Sequence, residues 1–210
     1  MTGRISVTLR VAGVVVAAGY LLGLTQGPLM MVIGALALIT FGRGLVVERE
    51  HEALAGTALA VVGAALGVAA LRWGTFDIGE IRGAQGVLGP TLLVGPEEVA
   101  AAAGAAAAGG AVALIVWLAE APAPERPERW VWVAEAVAGA LALVTVFGGP
   151  GTRGLHALDL ALWAGATVAT AGAVMGLSFV LRRAPRAVAW IACGGGAAAS
   201  IAGAVFVGLM

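Results

Sequence analysis

The sequence predicts an all-α, polytopic integral membrane bundle of about seven transmembrane helices, with its N-terminus inside and its C-terminus outside. Three observations carry this. Of the 210 residues, 60% are hydrophobic and only 11% charged, and mean hydropathy is +0.99, whereas a soluble domain has roughly 45–50% apolar and about 25% charged residues. The apolar residues fall into seven stretches near the roughly 20 residues a bilayer-spanning helix needs. The arginines segregate between the connections of those stretches, as the positive-inside rule requires.

The predicted helices are Ile5–Leu24, Leu29–Val47 after the Gly27-Pro28 turn, Ala53–Leu71, Glu97–Leu118, Trp130–Phe147, His156–Leu181 and Ala187–Leu209. The first is read as a retained helix rather than a cleaved signal, because it is long, lacks a clear small-x-small cleavage site and is followed by further spans. Gly95-Pro96-Glu97-Glu98 puts proline at the first helical position and acids where the positive dipole end favours them. Arg126-Pro127-Glu128 repeats that pattern, Pro185 precedes the last helix, and Arg182 and Arg183 close the sixth at its negative end.

The fourth span is the weakest on hydropathy, because Val99–Gly110 is nearly all Ala and Gly. The arginine distribution supports it. With seven spans, Arg4, Arg10, Arg43, Arg49, Arg126, Arg129, Arg182, Arg183 and Arg186 lie inside and Arg72, Arg82 and Arg153 outside, nine against three. Without the fourth span the balance becomes five against seven. Trp73, Trp117, Trp130, Trp132 and Trp190 fall near predicted helix ends, as interfacial aromatics do, and Trp163 fits less well.

Residues 1–210 are therefore read as one transmembrane domain, with 72–96 an extramembrane or interfacial segment on the outer side. This segment keeps Trp73, Phe76, Ile78, Ile81, Val87 and Leu88, which favour burial. A short interfacial helix is expected over Asp77–Leu88, with Ile78, Ile81, Gln85 and Leu88 on one face and Asp77, Glu80 and Ala84 on another. Gly79, Gly83 and Gly86 weaken it. Loops beyond about 12–15 residues are usually functional or disordered. Three roles are open: a cap over the bundle, a docking surface, or a gate. Asp77, Glu80, Arg82 and Gln85 are the candidate binding or partner-contact residues.

Small residues at four-residue spacing predict close helix packing: Gly63 and Gly67, Gly172 and Gly176, Gly19 and Gly23, and the face Gly195, Ala199, Gly203. Packing within the chain is favoured over contact with another subunit. The Ala/Gly half of the fourth helix is expected to be buried against other helices.

Chemistry is sparse. Net charge is zero, which gives nucleic acid no basic face to bind. All twelve basic residues are arginine, so no retinal or PLP Schiff base can form on a lysine. With the abundance of Ala and Gly, this usage points to a GC-rich prokaryotic genome and hence to a prokaryotic cytoplasmic membrane. The single cysteine, Cys193, is read as a packing residue and excludes an intrachain disulfide. Glu135 and Asp159 are the candidate intramembrane or helix-end acids, read as interfacial and at opposite ends of the membrane. Arg43 is read as a snorkelling anchor. Glu48-Arg49-Glu50-His51-Glu52 is read as a solvated turn. His51 and His156 lie on opposite sides, against a bis-histidine haem. No cofactor, metal site or catalytic motif is expected.

The expected function is a non-catalytic subunit or assembly component of a larger membrane protein complex, in contact with lipid and other membrane subunits. The alternative is a small-molecule transporter, or its substrate-binding membrane component, built around the Ala/Gly-rich helix and the outer segment.

Overall fold

The computed structural model describes residues 2–22, 27–46, 49–84, 97–121, 128–148 and 157–208. Among them are eight helices: α1 (Thr2–Leu21), α2 (Leu29–Gly44), α3 (Arg49–Trp73), α4 (Ile78–Ala84), α5 (Glu97–Ala119), α6 (Arg129–Gly148), α7 (Ala157–Leu181) and α8 (Arg186–Gly208). Six of these, all but α2 and α4, are long and apolar enough to cross a membrane, and they mark a multi-pass membrane protein. Helix α2 has 16 residues, or about 24 Å at 1.5 Å per residue, short of a hydrocarbon core of about 30 Å. The structure thus supports six spans by length where the sequence suggests seven.

Consecutive long helices run in alternating directions. Helix α5 packs against α3, α6, α7 and α8, and α1 packs against α2 and α6. Helix α6 is buried along most of its length, whereas α1, α7 and α8 are exposed along most of theirs, as helices facing lipid would be.

The α5–α8 contact is the tightest in the bundle and consists of small residues. A Cβ at Gly196 would lie 2.8 Å from the Gly109 carbonyl oxygen, and one at Gly203 would lie 2.7 Å from that of Ala102. Backbones can approach this closely only where side chains are absent, and van der Waals contact then holds the helices together. The buried face of α8 runs through Cys193, Gly196, Ser200 and Gly203. Gly195 is exposed, so the face is turned by one residue from the expected Gly195, Ala199, Gly203. Ala102, Ala103, Ala106, Gly109 and Gly110 of α5 are buried and Ala101 and Ala108 exposed, so one side of the Ala/Gly half is packed rather than the whole.

The other four-residue pairs behave differently. A Cβ at Gly67, Gly172 or Gly176 would meet nothing within 4 Å, and Gly172 and Gly176 are exposed.

One end of the bundle is closed by α4. Helix α3 ends in a Schellman motif: Gly74 takes φ +65, Gly74 N donates to Leu71 O at 3.3 Å and Thr75 N to Ala70 O at 3.2 Å. Glycine adopts that left-handed conformation without steric cost. The reversed chain then meets the start of α2, with Leu29 N donating to Phe76 O at 2.6 Å and Ile78 N to Gly27 O at 3.3 Å. Ile78 and Ile81 are buried, as their shared face predicts. The expected helix over Asp77–Leu88 is observed as Ile78–Ala84, with Asp77 just before it and positions 85–88 lying outside the described residues.

Candidate functional site

The densest polar cluster lies at the opposite end of the bundle from α4. It joins Arg10 of α1, Arg43 of α2, Glu135 of α6 and Glu128 just before α6. Arg10 Nε donates to Glu135 Oε1 at 2.6 Å and Nη2 to Oε2 at 3.3 Å. Arg43 Nη2 and Nε donate to Glu135 Oε2 at 2.6 and 3.2 Å. Arg10 Nη1 reaches Glu128 Oε2 at 3.1 Å. Glu135 is fully buried at 0% exposure, Arg10 and Arg43 are 2% and 3% exposed, and the Glu128 side chain is 37% exposed. Two guanidinium forks thus enclose one carboxylate, and the second carboxylate balances the charge.

Local packing sets this geometry. Glu135 lies six residues beyond Arg129, about 9 Å into its helix. Gly42 lets α1 and α2 close together, since a Cβ there would lie 3.0 Å from Arg10 Cγ and 3.1 Å from Ser6 O. The α1–α2 approach holds Arg10 and Arg43 on the same side of α6. The cluster therefore corrects two expectations: Arg43 and Glu135 do not reach outward to the interface but are buried against each other. A charge inside the apolar region is tolerated when it is paired and hydrogen-bonded.

Arginines also finish the helices. Arg43 Nη1 donates to Trp117 O at 2.8 Å and Arg182 Nη2 to Leu118 O at 3.0 Å, both in the last turn of α5, where carbonyls lack intrahelical donors. At the other end of the bundle Arg82 Nη1 donates to Leu21 O at 3.4 Å, at the end of α1. Each of these arginines also lies over a tryptophan: Arg43 over Trp117 at 3.8 Å, Arg182 over Trp132 at 5.4 Å and Arg82 over Trp163 at 5.8 Å. Such stacking is favourable where water is scarce. Trp117, Trp132 and Trp163 are buried, while Trp130 and Trp190 are 58% and 48% exposed. The interfacial reading thus fits Trp130 and Trp190, and three other tryptophans are platforms for arginines, of which Arg43 and Arg82 are buried and Arg182 partly so.

Trp117 Nε1 donates to Thr40 Oγ1 at 2.8 Å, and Thr40 Oγ1 to Leu36 O at 2.9 Å. Burial, and secondarily the like charge of Arg43, pushes the Arg182 guanidinium below its usual value. Burial alone does the same to Arg82.

His51 lies in the first turn of α3, beside Glu120 and Arg186. Its Nδ1 meets Glu120 Oε2 and its Nε2 lies 2.7 Å from Arg186 Nη2. A guanidinium only donates, so Nε2 accepts and the ring proton sits on Nδ1, donated to Glu120. The expected solvated turn is instead, from Arg49 on, the first turn of α3, with His51 partly buried and Glu52 exposed; Glu48 lies outside the described residues.

The predicted outer residues separate. Asp77 Oδ1 accepts from Glu80 N at 3.0 Å and Asp77 N donates to Thr75 Oγ1 at 3.1 Å. Thr75 Oγ1 also donates to Glu80 Oε2. Asp77 is therefore the N-cap of α4, Glu80 is exposed in its first turn, and Arg82 is turned inward at 6% exposure. Gln85 lies outside the described residues. Asp159 lies near the start of α7, at the opposite end of the bundle from Glu135.

No protein-family model, curated protein or solved structure matches this chain. The site must be read from its own geometry. Arg10 is the residue sequence reasoning missed. Its signal was present, an arginine at the sixth position of the first predicted span, but it entered only the orientation count. What the cluster does is fasten α1, α2, α5 and α6 through charge that is satisfied internally.

Proposed function

We propose that this chain is a non-catalytic integral membrane subunit or assembly component of a larger membrane protein complex. The observation that carries this is the outer face of α7. Ala161, Gly165, Ala169, Gly172 and Gly176 form an exposed stripe, and a Cβ at Gly165, Gly172 or Gly176 would meet nothing within 4 Å. The comparable surfaces of α5 and α8 are consumed by each other. A small-residue face left open on a lipid-facing helix is the kind of surface against which another transmembrane helix packs.

The buried Arg10–Glu135–Arg43 cluster supports the same reading, since it fixes the scaffold and presents no free charge. The transporter alternative needs a cavity beside the Ala/Gly-rich helix. The one there, about 490 Å³ between α5, α6 and α7 and lined by Ala107, Ala108, Ala111, Leu143, Phe147 and Thr170, is almost wholly apolar. It offers a substrate little to recognise it by, which favours the subunit. Exposed Glu80 on α4 and the exposed ring of Phe76, at 51%, offer a second contact for a partner at the α4 end.

The finer topology is part of the proposal. Seven helices cross the bilayer of a prokaryotic cytoplasmic membrane, N-terminus inside and C-terminus outside. Helix α2 crosses although it is short, because Leu29 lies at the α4 end and Arg43 at the cluster end. The cluster end faces the cytoplasm, in accord with the arginine distribution.

Cysteine cross-linking in native membranes tests the assignment. In a Cys193→Ala background, cysteine at Ala169 or Gly172 is expected to cross-link to another membrane protein, and cysteine at the packed position Ala106 is not. No cross-link from either α7 position would remove the support for the subunit reading.

A further inference from the structure

We propose that the groove between α5, α7 and α8 at the arginine-rich end of the bundle binds one anionic phospholipid, its acyl chain in the groove and its phosphate among the arginines of the α7–α8 turn. The groove has a volume of about 290 Å³ and a wholly apolar lining that includes Ile115 and Val116 of α5, Leu177 and Val180 of α7, and Val188 and Ala192 of α8. Val180 is 66% exposed and Leu177 52%, so the groove opens sideways to the surrounding lipid. Hydrocarbon is the chemistry such a surface accepts.

Charge at the end of the groove decides the headgroup. Leu181 and Ala184 also line it, and Arg182 and Arg183 lie between them in the chain, with Arg186 two residues further on. Three cations within five residues are therefore held at one end of an apolar slot. Arg183 is exposed. Arg182 is held by Leu118 O and the Trp132 ring, and Arg186 lies 2.7 Å from His51 Nε2, so these two add positive field while the exposed Arg183 is the side chain that meets the phosphate. Trp190, 48% exposed and one turn beyond Arg186 on α8, marks the depth at which headgroups lie. Basic pockets between transmembrane helices recognise anionic headgroups through this combination. The proposal is independent of the α7 stripe and of the subunit assignment.

The test uses the full chain in detergent, supplied with phosphatidylglycerol or with phosphatidylcholine of the same acyl composition, and counts retained lipids by native mass spectrometry. One phosphatidylglycerol is expected to remain bound, roughly tenfold more often than phosphatidylcholine. Arg183→Gln should reduce its retention about fivefold, and Ala192→Phe, which fills the groove, should abolish retention of both lipids. If Ala192→Phe does not fold, Arg183→Gln decides alone, because that exposed side chain takes no part in holding the bundle. Equal retention of the two lipids, or phosphatidylglycerol retention unchanged by Arg183→Gln, would overturn the proposal.

Discussion

Arg43 Nη2 lies 2.6 Å from Glu135 Oε2, tying the end of α2 to α6 across 92 residues of sequence. Arg10 holds the other oxygen of the same carboxylate. Removing one member of a buried ion pair leaves an uncompensated charge and costs about 3–5 kcal/mol. Glu135→Gln is therefore expected to destabilise the chain by that amount, read as the shift in unfolding in detergent. Arg10→Met combined with Glu135→Gln should be non-additive, with a coupling of about 0.5–3 kcal/mol. Additive effects would mean that the pair does not act as a unit.

Trp117 serves Arg43 with its ring and Thr40 with its indole N–H. Trp117→Phe keeps a ring but loses the hydrogen bond, and the expected cost is about 1 kcal/mol. Trp117→Leu also removes the cation–π contact and should cost about 1–2 kcal/mol more. Equal unfolding midpoints for the two variants would show that the ring contributes nothing to holding Arg43.

Glycines separate into two groups that substitution can distinguish. Gly203→Leu forces a side chain against Ala102 O and should destabilise the isolated chain by about 1–3 kcal/mol. Gly172→Leu enters open space and should leave its unfolding midpoint unchanged, while weakening association with a partner. A large loss of monomer stability in Gly172→Leu would place that face inside the bundle.

Helix α4 depends on a cap and on buried apolar contacts. Asp77→Ala removes the acceptor for Glu80 N, at about 1 kcal/mol, and Ile81→Ala opens a core position, at about 2–5 kcal/mol. Both should accelerate tryptic cleavage after the buried Arg82, and Ile81→Ala should do so more. Unchanged cleavage rates in both variants would mean that α4 opens by a route independent of these contacts.

Much of this fold is legible in the sequence because helix limits are local signals. Proline, acids and apolar length place α5 at Glu97 and α8 near Pro185 without reference to any other helix. What meets what is not local. Arg10 and Glu135 are 125 residues apart, and each reads alone as an arginine or a glutamate close to a helix end. Their pairing depends on how α1 and α6 are rotated about their own axes, which composition does not determine. The same limit explains the one-residue turn of the α8 face from Gly195 to Gly196, since adjacent glycines give no pattern to choose between them. Tryptophans near helix ends predict an interface equally whether the ring faces lipid, as in Trp130, or lies under an arginine, as in Trp117.

Native mass spectrometry of the chain extracted from its own membrane in mild detergent tests the central claim most directly. The account predicts a species heavier than the 20.7 kDa chain that contains another membrane protein, and that reverts to the single chain in Gly172→Leu. A stable monomer from the unaltered protein, free of any protein partner, would contradict it.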